Sequence, residues 1–437
     1  MFLPALIYVF KKYSYLRTYF SPVILASIYY ASSFSIGSYI YGSFQIDDLD
    51  GKRLIFKMSI LGLIGCYSLI VGAEAGRKYY LKKNRTSKHE QSVFNKNFIF
   101  LILILGWFSR LKVIQNGRYF HLSDTDIASS TASSSFYISS LTSLPTIAMC
   151  LILADSLNKK KPRNLIIGFI FITDIIYHVL SGSRQSLLVP FVAFIYIWLR
   201  NGGKRFRVGI FKQIIIYVLA VFSFSLISEY RVKRFTEQIS PLDALLSTVK
   251  RFFSISIFEQ IQISTLTVFE RASDVLSMAY SFLIPKSDLV TVIHNPFTLI
   301  PGAFIPRILS PDKIDYGLMG NKFGRAIGIL NPADYFTSID FPIPLEGYLW
   351  NGYFGIITVC FFSGFIYFLT HNYIFIAENP LKQAIYGSTL LSLFNSPAQI
   401  IAHGLFGWIK SFLFTYVIIS LLSWIFKVSS TSKKLGN

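Results

Sequence analysis

The chain has 437 residues, of which 53% are hydrophobic and 15% charged, with a mean hydropathy of +0.51. Soluble domains carry about 25% charged residues, so this composition excludes an ordinary water-soluble enzyme, a disordered chain, a collagen and a disulfide scaffold. Lys plus Arg number 42 against 22 Asp plus Glu, a net charge of +20. In a soluble chain that excess would point to nucleic acid, but here the basic residues gather in short loops between apolar runs, where they set membrane topology.

Taken in chain order, the apolar runs predict ten spans: 22–44, 54–73, 97–114, 136–154, 164–180, 186–199, 210–228, 346–369, 383–401 and 405–426. About 20 residues cross the hydrocarbon core, so the shortest run, 186–199, reads as weakly tilted or partly re-entrant. The expected fold is an all-α polytopic membrane protein. It divides into a seven-span bundle (1–228), a large outer loop (229–345) and a three-span segment (346–437). With the N-terminus in the cytoplasm, the segments 1–21, 74–96, 155–163, 200–209, 370–382 and 427–437 hold 22 Lys/Arg, whereas the short outer loops hold Lys52, Arg53, Arg118 and Arg184. This asymmetry predicts both termini inside. Met1–Phe10 is apolar but precedes Lys11 and Lys12, the reverse of a cleavable signal peptide. Cys66, Cys150 and Cys360 all fall in apolar runs and read as small hydrophobes.

The loop 229–345 carries structure of its own. Ser240-Pro241-Leu242-Asp243 reads as an N-cap, a first-turn Pro and a first-turn acid. Leu242, Leu245, Leu246, Val249, Phe252 and Phe253 then recur at helical spacing, predicting an amphipathic helix on the membrane or against the bundle. The apolar stretches 255–269 and 275–284 contain Glu259, Gln260, Glu270, Arg271 and Asp274, and read as amphipathic or re-entrant rather than as two further spans. Of the 22 acidic residues, 17 fall on the expected outer side, so polar chemistry is expected there.

No phosphate-cradling Gly loop, Cys/His metal spacing or nucleophile elbow occurs, so a nucleotide-driven pump or a zinc protease finds no support. Asp48-Leu49-Asp50 and Asp124-Thr125-Asp126 could hold a divalent cation, though short acidic loops beside a membrane are commonplace solvated turns. The arginines are a better lead. Arg184 sits in Ser181-Gly182-Ser183-Arg184, Arg231 in Glu229-Tyr230-Arg231-Val232-Lys233-Arg234, and Arg307 in Phe304-Ile305-Pro306-Arg307 between Pro301 and Pro311. Singly, each could be an interfacial lipid anchor. Together on one face they read as a site for a polyanionic group, because the guanidinium fork suits phosphate.

Three segments resemble the Wzy-type oligosaccharide repeat-unit (O-antigen) polymerases. LSGSRQSLLVP (180–190) is similar to their G-S-R turn before a span. HNPFTLIPGAFIPRILSPDK (294–313) is similar to their long-loop Pro-Arg stretch, and PIPLEGYLWNGYFGIITVCFFSG (342–364) resembles the Glu-Gly-Tyr segment that opens the span after that loop. The ten-span layout with one large late outer loop fits as well.

The resemblance implies a metal-independent, cofactor-free glycosyltransferase of the bacterial inner membrane, GT-C-like in architecture. It would transfer a growing O-antigen or capsule glycan from undecaprenyl pyrophosphate to a new lipid-linked repeat unit. Its partners would be undecaprenyl-pyrophosphate-linked oligosaccharide, membrane lipids and a chain-length regulator, with no nucleic acid. Arg184, Arg231 and Arg307 would bind the pyrophosphate, the last two also stabilising the leaving group, and Glu346 would be the base for the acceptor hydroxyl. Glu346 reads equally as a helix N-terminal acid set against the macrodipole. Two further readings stand beside this one: an O-antigen-type ligase or a polyprenyl-phosphate-sugar glycosyltransferase relying on Asp48 and Asp50, and a flippase or transporter.

Overall fold

The computed structural model describes residues 2–13, 21–36, 38, 49–83, 96–115, 140–159, 164–180, 184–201, 229–230, 233, 237, 239–254, 256, 259, 279, 281–284, 289, 294–305, 319–332, 339–370, 372–373 and 379–425. Among these residues the chain is 88% helical with no strand. The elements are α1 (Phe2–Tyr13), α2 (Pro22–Ala31, continued by a π turn Ser32–Ile36), α3 (Leu49–Lys83), α4 (Lys96–Gln115), α5 (Leu144–Lys159), α6 (Asn164–Leu180) and α7 (Arg184–Asn201). They continue with α8 (Pro241–Ser254), α9 (Pro296–Phe304), α10 (Met319–Ala326), α11 (Ile343–Thr370), α12 (Pro380–Phe394) and α13 (Leu405–Ile425).

Among the described residues four helices are long and apolar enough to cross a membrane, over Gly51–Tyr80, Asn97–Gln115, Ile343–Thr370 and Leu405–Trp424. The outward faces of α4 and α13, and of the shorter apolar helix α6, say the same. Phe100, Ile104, Phe108 and Leu111 of α4 are exposed at helical spacing, as are Leu165, Phe169, Ile172 and Ile176 of α6, and Leu413, Val417, Leu421 and Trp424 of α13. Continuous apolar stripes of this size are not left facing water; their solvent is lipid. The protein is an all-α membrane protein.

The expected spans 97–114, 164–180 and 405–426 meet α4, α6 and α13 almost residue for residue, and 186–199 meets α7. The span 210–228 and most of the loop 229–345 lie outside the described residues. Helix α3 runs ten residues beyond the expected end of 54–73, because Glu74–Lys83 is rich in helix formers and Glu74 pairs with Arg77 one turn on (Nε to Oε2, 3.0 Å). Lys12 of α1 reaches the same carboxylate at 2.8 Å. The expected span 383–401 needs correction. Its helix ends at Phe394, and 395–404 is a turn with a short 3-10 segment, Ser396–Ala398, because Asn395-Ser396-Pro397 stops the helix.

Two compact units can be described. The first draws on Met1–His89, Phe269–Glu378 and Ser392–Leu413. Its spine is α3 packed along α11, brought close by small residues in the manner of small-xxx-small membrane interfaces. An ideal Cβ on Gly72 would stand 1.9 Å from the Phe361 carbonyl, and one on Gly364 would stand 1.9 Å from the Leu69 carbonyl. Gly65 faces Cys360 and Gly76 faces Phe368, so α3 and the part of α11 from 353 onward run in the same direction. Helix α2 lies against both and is buried nearly all round, with the Tyr30 hydroxyl 3.5 Å from the Cys360 sulfur.

The second unit draws on Glu90–Val268, Asn379–Leu391 and Phe414–Asn437. Helix α5 contacts α4, α6 and α7, and Thr146–Ala154 of α5 is buried without a break. A helix apolar on every side belongs at the centre of such a group. The amphipathic helix expected after Ser240 is α8: the Ser240 Oγ accepts the Asp243 N–H at 3.2 Å and donates to the Asp243 carboxylate at 2.6 Å. Arg251 of α8 holds Glu229 at 2.7 Å, tying the helix back to the segment that precedes it.

Candidate functional site

The C-terminal half of the first unit contains two breaks in helical backbone, and they frame Glu346. Helix α11 is two helices. Asn351 (φ −148°, ψ 39°) and Gly352 (φ 56°, ψ −144°) leave the helical region, and the positive φ at residue 352 favours glycine. The chain turns back so sharply that Gly347 and Gly355 touch: a Cβ on Gly355 would stand 1.9 Å from the Gly347 carbonyl. The Glu-Gly-Tyr…Asn-Gly…Gly pattern of 346–355 therefore has a backbone reason at each glycine. Two give close approach and one gives the turn.

The second break is 395–404, which is buried at Ser396, Ala398, Ile400, Ile401 and Ala402. Irregular backbone inside a membrane bundle needs its polar groups satisfied by protein. Here the Ser396 Oγ donates to the Leu393 carbonyl at 2.7 Å and pairs with the Tyr367 hydroxyl at 2.5 Å, and the Ala398 carbonyl accepts the Phe341 N–H at 2.9 Å. The Ile401 N–H has a side-chain partner, Glu346, whose Oε2 accepts it at 2.7 Å. The turn is pinned to the first half of α11 by that carboxyl.

Glu346 itself is 5% exposed, and its other oxygen, Oε1, is buried without a hydrogen-bond partner. The residue sits in the first turn of α11, where an acid offsets the helix dipole, and its hydrogen bond goes to an amide 55 positions away. Around it lies a cavity of about 10 Å³, lined by His294, Leu299, Met319, Phe341, Leu349 and Ile400 with Glu346. That is the room of about one water. The walls are placed by local chemistry. Asn295 caps α9, its Oδ1 accepting the Phe297 N–H at 3.0 Å, and Phe341 stacks on Phe323 of α10 at 4.5 Å. His294 is held below the ordinary histidine range, first by burial and then by the positive charge of Lys322. A buried carboxyl with one oxygen anchored and one unused can accept a proton without being rearranged.

Of the arginines expected to bind phosphate, Arg231 and Arg307 lie outside the described residues, as does Asp48. Arg184 is the first residue of α7 and Asp50 the second of α3, and their side chains also lie outside the description. Glu346 is the one expected site residue whose surroundings are described. Among the described residues no three His, Cys, Asp or Glu side chains come together as a metal site.

Sequence reading missed a second polar cluster, in the second unit. Arg110 of α4 and Asp174 of α6, both fully buried, form an ion pair. The Arg110 Nε donates to the Thr142 carbonyl at 3.0 Å, the Thr146 hydroxyl to Asp174 at 2.6 Å, and the His178 Nε2 stands 3.6 Å from the same carboxylate. The guanidinium also lies over the Tyr177 ring at 4.2 Å. Each charge is visible inside an apolar run; that they meet is a property of the fold.

No family model, curated protein or solved structure matches this chain.

Proposed function

We propose that the protein is a polymerase of lipid-linked oligosaccharide repeat units, a GT-C-like membrane glycosyltransferase with about ten spans and both termini in the cytoplasm of a bacterial cell. The observation that carries this reading is Glu346: a buried carboxyl with one free oxygen, at the head of a span interrupted about one and a half turns later, in a segment resembling the Wzy-type polymerases. In the reaction the acceptor hydroxyl oxygen forms a bond to the anomeric carbon of the donor glycan. The bond from that carbon to the pyrophosphate breaks, and undecaprenyl pyrophosphate leaves with the electron pair. The hydroxyl proton goes to Glu346. The role of Arg184, Arg231 and Arg307 is to stabilise charge on the departing pyrophosphate, and loss of one such donor costs about 3–4 kcal/mol in barrier. The ion pair of Lys12 with Glu74 fits a topology in which the N-terminus and the end of α3 share the cytoplasmic side.

The experiment is the length of glycan made by cells carrying each variant at matched membrane abundance. Arg231→Lys and Arg307→Lys are expected to leave single-repeat product nearly as fully as Arg→Ala, since Lys offers a point charge in place of a fork. Normal ladders from Arg231→Ala with Arg307→Ala would refute the pyrophosphate-binding assignment and leave those arginines as interface anchors. Single-repeat glycan from cells lacking the protein altogether is what the polymerase reading requires, and normal ladders there would refute it.

One observation favours a transporter instead. Interrupted helices commonly form substrate sites in transporters, in pairs repeated across two halves of the chain. The breaks at 351–352 and 395–404 both lie in the C-terminal part, and the sequence shows no internal repeat. Translocation of a lipid-linked glycan across vesicles by the purified protein, without glycan growth, would select that reading.

A further inference from the structure

Lys57 lies on α3 four residues after Arg53, so the two share a helix face. The first half of α11 lies against α3, where a Cβ on Gly65 would stand 3.2 Å from the Pro344 ring. The Lys57 Nζ stands 4.2 Å from the centre of the Phe282 ring and 6.0 Å from that of Tyr348. Those two rings are 4.7 Å apart, and Tyr353 meets Tyr348 edge-on at 5.9 Å. Tyr348 and Tyr353 flank the break at Asn351–Gly352, so the turn in α11 is what brings them together. Lys57 forms no ion pair with a carboxylate among the described residues, and it is only half buried, while Tyr353 is exposed.

An ammonium seated on ring faces is positioned without being neutralised. Among the described residues no carboxylate supplies its countercharge, and a compact Lys charge suits phosphate oxygen. Flat aromatic faces beside it suit the apolar C–H face of a sugar ring. We infer that Lys57, Phe282, Tyr348 and Tyr353 form a subsite for a phosphate-linked sugar, the ammonium on the phosphate and the tyrosine rings on the sugar. This inference rests on the proposed function for the identity of the substrate, a glycan on a prenyl pyrophosphate. A phospholipid headgroup offers the same phosphate but nothing for the rings.

The test is binding of two probes to the full-length protein in nanodiscs: farnesyl pyrophosphate, and farnesyl pyrophosphate carrying one N-acetylglucosamine. Lys57→Met is expected to weaken both at least tenfold, Lys57→Arg to keep both within threefold, and Tyr348→Leu to weaken the glycosylated probe alone. Each variant is checked for an unchanged melting temperature and elution volume; where Lys57→Met melts early, Lys57→Gln is used in its place. Unchanged binding in the folded Lys57 variant overturns the inference. So does displacement of both probes by phosphatidylglycerol in the nanodisc, which identifies a lipid anchor, or by inorganic pyrophosphate alone at equal concentration, which identifies a free-phosphate site. Lys57-dependent binding without polymerisation would retain the subsite and remove the polymerase reading. Polymerisation with Lys57-independent binding would do the reverse.

Discussion

Replacing Glu346 by Gln separates a chemical role from a structural one, because the structure shows what each role needs. The structural role is one hydrogen bond, from the Ile401 N–H to Oε2 at 2.7 Å. A glutamine carbonyl oxygen can accept that bond in the same place. The loss is at most the difference between a charge-assisted and a neutral bond, about 1 kcal/mol. Glu346→Ala removes the acceptor outright and leaves a buried N–H unsatisfied, about 1–3 kcal/mol, with an enlarged cavity where about 10 Å³ already stands empty. The alanine variant therefore loses protein, whereas the glutamine variant keeps it. If Glu346 takes the acceptor proton, glutamine cannot, and general-base catalysis is worth about 100- to 10,000-fold. Polymer length, read beside membrane abundance, gives both quantities from one gel. Near-normal abundance with only single-repeat product is expected from Glu346→Gln. Ladders of ordinary length from that variant would refute the base assignment and leave Glu346 as the pin of the 395–404 turn.

Asp174→Ala should lower the melting temperature of the detergent-solubilised protein sharply, since it leaves Arg110 as an uncompensated buried charge, about 3–5 kcal/mol. The double change Arg110→Met with Asp174→Leu should recover most of that loss; if the single variant melts like the parent, the pair is dispensable. Gly364→Ala should cost about 1–3 kcal/mol, because its Cβ would stand 1.9 Å from the Leu69 carbonyl and the α3–α11 contact must open; a melting curve unchanged from the parent would contradict the close packing. His294 has its folded pKa below the ordinary 6.5, so the unfolded chain binds the proton more readily, and stability is lost as pH falls through 6.5 toward the folded value. His294→Gln should flatten that decline in melting temperature between pH 7 and 5.5, and an unaltered slope would show that His294 does not contribute to it.

The membrane helices were legible where side chains alone decide the matter. The runs at 97–114 and 405–426 match α4 and α13 because hydropathy and helix length are the same requirement in lipid. The breaks were harder to read for two reasons. At 351–352 the departure depends on the φ of Gly352, and hydropathy does not register backbone angle. At 395–404 the signal was present in Asn395-Ser396-Pro397, but the surrounding apolar residues outweighed it. Glu346 was legible as an acid at the head of an apolar run. Its partner was not, because Ile401 contributes only its amide, which every residue but proline carries. The same holds for Arg110 and Asp174, 64 positions apart and on different helices.

The two breaks have a common physical consequence. Each frees backbone groups that cannot be left unpaired within a membrane bundle, so each imposes a partner on the residues around it. The turn at 395–404 takes one from Glu346, which fixes the carboxyl by one oxygen and leaves the other beside a cavity. The turn at 351–352 sets Tyr348 and Tyr353 edge to face, with Lys57 6.0 Å from the centre of the Tyr348 ring. Both features lie on the half-helix 343–350, with Glu346 and Tyr348 two residues and therefore about 200° apart around it. The interruption of α11 is thus what allows one short helix to present an acid on one side and an aromatic ring on another. An unbroken helix would carry Tyr353 onward along its axis, where it could not meet Tyr348.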